Sequence, residues 1–225
     1  MRVSIIVVDD ESDFLDSVRR GLITSGFKNV HTEVNPVKAA EVIENGKDFD
    51  IALIDITMPG LNGIELMQIV KKVQPRTECI MITALDEART AVDCLKKGAY
   101  DYLVKPISKE DLISSINRAL ERKRLLDILD LGKKKTIPQL NNLEAFAPII
   151  TRNDRILRIL KEAELQAVSD SPILITGATG TGKELLAPAV HQASQRAKYP
   201  FTPIHMDALT TTLFDAEFFG HTKGA

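Results

Sequence analysis

The 225-residue sequence holds only two cysteines, Cys79 and Cys94, and both fall inside apolar, periodic stretches rather than a spaced framework. That excludes a disulfide scaffold or a cysteine-based metal site and marks both as reduced core residues. An excess of one charge is also lacking. With 29 Lys and Arg against 31 Asp and Glu, the formal net charge is −2, so no general basic field exists to hold nucleic acid. No apolar run approaches the roughly 18 residues of a membrane span. The opening MRVSIIVVDDESD is too short in its apolar stretch and too acidic for a signal peptide, so a cytoplasmic protein without membrane association is expected. Neither an internal repeat nor a low-complexity tract interrupts the chain.

Apolar residues make up 44% of the sequence and charged residues 27%, ordinary values for a protein able to bury a core. The length suits two domains, since one commonly takes about 100 to 150 residues. Residues 1 to 107 alternate short apolar runs with helix-period segments. SIIVV (4–8), IALI (51–54), CIMIT (79–83) and YLV (102–104) read as strands, with a weaker one near Val30. The segments between them repeat apolar residues at three- and four-residue spacing. Asn35–Pro36 supplies an N-cap and a pre-set first helical residue, while Gly26, Gly46 and Gly98 sit where helices should stop. This alternation predicts a doubly wound, five-stranded parallel α/β sheet.

A fifth helix is predicted from Ser108, where Ser108 and Asp111 match a capping box. It places Leu112, Ile116 and Ala119 on one stripe and runs through ERKRLLDILDLG to Gly132. Leu125, Leu126, Ile128, Leu129 and Leu131 form a second apolar surface, which either packs back on its own domain or joins two chains; a homodimer is expected. KKKTIPQLNN, polar, basic and broken by Pro138, reads as a linker. Three segments result: 1–122, a helical linker over 123–146, and 147–225. The last opens with the helix DRILRILKEAELQAV, the turn SDSP and a strand ILIT.

In an open parallel sheet, functional groups gather at the carboxyl ends of the strands beside the point where strand order reverses. Asp9 and Asp10 end the first strand, Asp55 the third, Thr83 the fourth and Lys105 the fifth. Carboxylates brought so close repel one another, and a hard cation such as Mg²⁺ relieves that repulsion. Asp55, central in the set, is best placed as a nucleophile toward phosphorus, with Thr83 and Lys105 to hold the product. VVDDE, IALIDITMPGLNGIEL, MITA and AYDYLVKP resemble the receiver domain of two-component response regulators. The resemblance implies phosphorylation of Asp55 by a sensor histidine kinase and Mg²⁺ held by Asp9, Asp10, Asp55 and the backbone carbonyl of Thr57. It also implies a Thr83–Tyr102 switch pair and a cis bond between Lys105 and Pro106.

Gly177, Ala178, Thr179, Gly180, Thr181, Gly182, Lys183 and Glu184 spell G-x-x-x-x-G-K-E between a predicted strand and a predicted helix. This is the setting in which glycine-rich backbone and a helix N-terminus cradle phosphate and a lysine reaches the outer phosphates. The generic pattern has Ser or Thr after the lysine; here Glu184 stands there. ILITGATGTGKELLAPAVH, FTPIHMDAL and FDAEFFGHTKGA resemble the AAA+ ATPase domain of sigma-54-dependent transcriptional activators, whose loop typically reads Lys-Glu. The resemblance implies ATP binding and action on the sigma-54 RNA polymerase holoenzyme, and it makes Gly224 and Ala225 the first residues of the sigma-factor loop. The family's acidic second nucleotide motif and its sensor and finger arginines do not occur before Ala225. The expectation is therefore a partial ATPase domain, with weak or absent ATP binding and no turnover. Pro188 should kink or shorten the helix after the loop, and no segment qualifies as a DNA-binding domain. The alternative is a stand-alone phospho-dependent dimerisation module with an inert nucleotide remnant.

Overall fold

The computed structural model describes residues 3–83, 88–133 and 136–204. Five strands form one parallel sheet: β1 (Ser4–Val8), β2 (Asn29–Glu33), β3 (Ile51–Asp55), β4 (Glu78–Thr83) and β5 (Asp101–Val104), in the order β2-β1-β3-β4-β5. Every pairing is parallel. Helices α1 (Ser12–Thr24), α2 (Pro36–Glu44), α3 (Gly63–Val73), α4 (Ala88–Lys96) and α5 (Lys109–Leu131) connect or follow these strands. The order reverses between β1 and β3, which is where a doubly wound sheet opens a crevice.

Side chains alternate across a strand, so each strand feeds two cores. Ile6, Val8, Ala52, Ile54, Cys79 and Met81 meet Ala39 and Ile43 of α2, Leu66, Met67 and Val70 of α3, and Cys94 of α4. Ile5, Val7, Ile51, Leu53, Ile80 and Ile82 face the other way, against Leu15, Val18 and Leu22 of α1 and Leu112, Ile116 and Ala119 of α5. Neither cysteine is in a disulfide and both are buried, as their setting predicted. Burial pushes the Cys79 thiol up to about 12, so it behaves as a small apolar side chain.

Several helix ends follow from local chemistry. Asn35 Oδ1 accepts from Val37 N–H at 2.9 Å with Pro36 at the first helical position, and Asn62 and Glu65 form a reciprocal capping box on α3. Ser108 caps α5 by accepting from Asp111 N–H at 3.0 Å, but Asp111 returns to the Ser108 hydroxyl at 2.7 Å rather than to its backbone.

α5 continues unbroken to Leu131, and its distal half is fastened on two sides. Toward the sheet, Lys123 pairs with Asp50 as well as with Asp127 along its own helix, and Arg76 pairs with Asp127 and Asp130 of α5. Toward the second unit, Arg124 donates to Gln166, and Arg158 Nη1 donates to the Leu131 carbonyl at 2.8 Å. That unit holds α6 (Leu143–Phe146), α7 (Asp154–Ala167) and α8 (Lys183–Ala193). Its core of Ala145, Phe146, Leu160, Ala163 and Ala189 is small. It also begins earlier than the expected linker end, because α6 lies inside segment 123–146.

One expectation about this unit is corrected. Ile173–Thr176 pairs with no strand among the described residues, and Leu174 is 87% exposed; a parallel strand needs a neighbour to satisfy its backbone, and none flanks it here. α8 is not shortened at Pro188 but runs on to Ala193.

Candidate functional site

The carboxyl ends of β1, β3, β4 and β5 bring the predicted polar residues together. Asp9 is fully buried just past β1, and its Oδ1 accepts from Glu11 N–H at 3.0 Å. Asp55 ends β3 at 6% exposure, with Oδ1 accepting from Thr57 N–H at 3.3 Å. The first turn of α3 lies directly against this residue. A Cβ built on Gly63 would stand 1.9 Å from the Asp55 carbonyl oxygen, so only glycine fits there. Thr83 is buried at the end of β4, and its carbonyl accepts from Lys105 N–H at 2.8 Å. The Lys105–Pro106 bond is cis, as the resemblance implied.

Lys105 Nζ lies at the centre, 2.8 Å from Asp9 Oδ2, 3.0 Å from Glu11 Oε1 and 3.3 Å from Asp55 Oδ2. Beneath it the Phe14 ring centroid is 4.4 Å away, an aromatic face that attracts the ammonium. Burial works to lower the Lys105 pKa, yet the close carboxylates of Asp9, Glu11 and Asp55 outweigh it and hold the ammonium above its ordinary value. Burial and the Asp9 charge raise the Asp55 carboxyl above the usual carboxylate range, against the opposing pull of Lys105 and the Thr57 N–H.

Oxygens of Asp9, Glu11 and Asp55 all lie within 4.8 Å of one another. Glu11 was not singled out from the sequence, although it directly follows the acid pair. Asp10, which was, is exposed and lies outside this set. Thr57 is exposed beside the cluster. Tyr102 pairs in register with Met81, while Thr83 pairs with Val104, and Tyr102 is 38% exposed on the edge strand. The two proposed switch residues therefore lie on neighbouring strands but not opposite each other.

Asp9 Oδ2 is buried with no hydrogen-bond partner, its contact to Lys105 being one of charge alone. An orphaned carboxylate oxygen beside two further carboxylates is a donor set that suits a hard divalent cation.

The glycine loop lies at the start of α8. Gly180 and Gly182 adopt φ of 80° and 87°, the left-handed region open to glycine, which turns the chain into the helix. Gly177 faces Thr181, whose Oγ1 would be 2.9 Å from an added Cβ. Thr181 Oγ1 donates to the Ala178 carbonyl at 2.7 Å, and Lys183 Nζ donates to the Gly177 and Ala178 carbonyls at 2.9 and 2.8 Å. Lys183 thus reaches back over Gly177–Gly182 with its ammonium held at the loop. Thr179 lies in the turn, and Glu184 sits in the first turn of α8. A cavity of about 570 Å³ adjoins the loop, lined by Lys183 and Thr181 on one side and Ile149, Ile156, Leu160 and Val190 on the other. Gly224 and Ala225 lie outside the described residues.

Two stretches of the chain match known families. Residues 5–117 match the response regulator receiver domain family, and residues 149–225 match the sigma-54 interaction domain family. The chain is 36% identical over 229 residues to the regulatory protein AtoC of Escherichia coli, covering 98% of this chain and 47% of that protein. It is 33% identical over 221 residues to the alginate biosynthesis transcriptional regulatory protein AlgB of Pseudomonas aeruginosa, covering 98% and 47%. The chain thus spans about half the length of the curated relatives it matches. Among solved structures, a response regulator receiver domain protein from Clostridium thermocellum is similar at TM-score 0.53 and 31% identity, over 55% of this chain and 98% of that one. NtrX from Brucella abortus in complex with ATP is similar at TM-score 0.55 and 30% identity, over 99% and 47%. With its five-stranded parallel sheet, its carboxylates and lysine gathered at the strand ends, and a second family match after the fifth helix, the chain belongs to the response regulator receiver family, in the sigma-54-dependent group that joins a receiver to a sigma-54 interaction domain.

Proposed function

We propose that Asp55 accepts a phosphoryl group from a sensor histidine kinase and that this event controls, through α5, an ATP-using domain acting on the sigma-54 RNA polymerase holoenzyme. The observation that carries this reading is the convergence of Asp9, Glu11, Asp55 and Lys105 at the strand ends, with Asp55 held by Thr57 and Lys105 on its two oxygens. An Asp55 carboxylate oxygen attacks the donor phosphorus. The new bond is an acyl phosphate, and the donor nitrogen or oxygen leaves with the electron pair of the broken bond. Lys105 and the Thr83 hydroxyl stabilise the phosphoryl oxygens, and Thr83 with Tyr102 relays the change to the β5 edge. Asp9 and Asp55, with Asp10 and the Thr57 carbonyl at hand, are the residues that would hold Mg²⁺. When bound, the ion supplies charge neutralisation for the incoming phosphoryl oxygens.

In the same reading residues 1–122 are the receiver, α5 and the following chain the link, and the remainder the start of the ATPase domain, placed in the bacterial cytoplasm. Leu125 and Leu129, 47% and 62% exposed on α5, form the apolar surface for a homodimer. Gly177–Glu184 would hold the phosphates of ATP, with Lys183 releasing its two carbonyl partners to reach them.

One observation favours the alternative of a phospho-dependent dimerisation module. Lys183 is satisfied by the loop's own carbonyls, and among the described residues the adjacent Ile173–Thr176 segment pairs with no strand. Intact-mass spectrometry after incubation with acetyl phosphate and Mg²⁺ tests the primary claim. One phosphoryl adduct is expected in the parent and none in Asp55→Asn; persistence in the variant removes Asp55 from its role. Titration with a fluorescent ATP analogue separates the two readings of the loop: binding lost in Lys183→Ala supports the ATPase reading, and no binding in the parent supports the alternative.

A further inference from the structure

We infer that Glu11 is a positioning residue that tethers Lys105 before phosphorylation and is the carboxylate the incoming phosphoryl group displaces. This rests on the assignment of Asp55 as acceptor. A lysine ammonium carries three donors, and Lys105 Nζ faces three carboxylate oxygens, on Asp9, Glu11 and Asp55, at 2.8, 3.0 and 3.3 Å. Ringed by these three, with Glu11 and Asp55 taking its hydrogen bonds, the ammonium reaches a phosphoryl oxygen by moving away from one of them. Asp9 and Asp55 have side chains 0% and 8% exposed, so neither can be rehydrated in place, and losing Lys105 would leave a buried carboxylate without its countercharge. The Glu11 side chain is 66% exposed, and water can take over its hydrogen bond directly.

Two further features fit this role. Glu11 is the N-cap residue of α1, yet its side chain makes no cap hydrogen bond, so nothing in the described structure competes with Lys105 for it. Phe14, one turn into α1, supports the ammonium from below at 4.4 Å, so Lys105 keeps its place when Glu11 lets go. Glu11 also stands at the mouth of the site as an additional negative charge, which opposes the approach of an anionic phosphodonor.

The test compares the parent with Glu11→Gln, a change at an exposed side chain, using two probes with Mg²⁺: acetyl phosphate, a dianion at neutral pH, and phosphoramidate, a monoanion. The expected result is a phosphorylation rate raised about two- to five-fold with acetyl phosphate, the scale of one exposed ion pair, and raised less with phosphoramidate. Without donor or metal, ¹⁵N-resolved NMR of the Lys105 ammonium should show faster proton exchange in the variant. An unchanged rate with unchanged exchange overturns the tether. So does a slower rate relieved by more Mg²⁺, because Glu11 would then be holding the cation. Asp55→Asn is run in parallel: an adduct persisting there defeats the acceptor assignment, whereas its loss with no effect of Glu11→Gln defeats only the tether.

Discussion

At the scale of single residues, packing around Asp55 leaves almost no freedom. A Cβ at Gly63 would meet the Asp55 carbonyl oxygen at 1.9 Å, well inside contact distance, and the obstacle is backbone that cannot swing away. Gly63→Ala is expected to lower stability by about 3 kcal/mol, the upper part of the range for overpacking, read from the midpoint of urea unfolding, and to slow phosphorylation by shifting Asp55. His31 offers a pH-dependent counterpart remote from the site. Its ring stacks on Phe49 with centroids 6.0 Å apart, its Nδ1 faces Lys47 Nζ at 3.3 Å, and its Nε2 is buried without a partner. Burial and the Lys47 charge lower its pKa, with Glu33 opposing. The unfolded chain therefore binds the proton more readily than the folded one. Stability present above about pH 6.5, the ordinary imidazole value, is expected to decline as pH falls through that value toward the lower folded one. Urea unfolding at pH 7.5 and 5.5 reads this, and His31→Gln should narrow the difference between the two.

Among the elements, α5 makes contacts on three sides. Its proximal half fills the receiver core with Leu112, Ile116 and Ala119, and its distal half is pinned by ion pairs toward the sheet and by Arg124 and the Leu131 carbonyl toward α7. Leu125 and Leu129 remain exposed, so the intrachain contacts leave open the apolar face proposed for a second copy. Replacing both with Glu is expected to weaken self-association at least ten-fold in sedimentation equilibrium, since each well-buried Leu is worth about 1.5 to 3 kcal/mol, while leaving the helical circular dichroism signal intact. An unchanged mass average would remove these two leucines from any dimer contact. For α3, the reciprocal Asn62–Glu65 box satisfies two orphan N–H groups, and Asn62→Ala should cost about 1 kcal/mol, again in urea.

Over the whole molecule, the two units differ in how much apolar surface they bury. The sheet carries a core on each face, whereas among the described residues the second unit rests on one small cluster, with Ile150, Leu174 and Leu143 97%, 87% and 71% exposed. Hydrogen exchange should therefore be slowest in β1, β3 and β4 and markedly faster across Ile173–Ala193, in the order that local burial sets. Equal protection of the two regions would contradict this.

Much of this was legible from the sequence because the signals are local. Alternating apolar residues specified which face each strand shows to which helix, and Asn35–Pro36 and Ser108 announced helix starts through their own side chains. Asp9, Asp55, Thr83 and Lys105 could be assigned to strand ends because a parallel sheet puts all its carboxyl ends on one edge. Three things could be decided only in three dimensions. Glu11 joins the site and Asp10 turns outward because one residue's difference in position around the β1–α1 turn reverses which way a side chain points. Ile173–Thr176 has the composition of a strand but pairs with none among the described residues, and a parallel strand exists only when a neighbour accepts its hydrogen bonds. Lys183 has the spacing of a phosphate-binding residue, but which oxygens its ammonium meets depends on the path of the Gly177–Gly182 backbone. Periodicity and residue type are properties of short stretches and survive in the sequence, whereas the partner a group meets across space is set by how the whole chain packs.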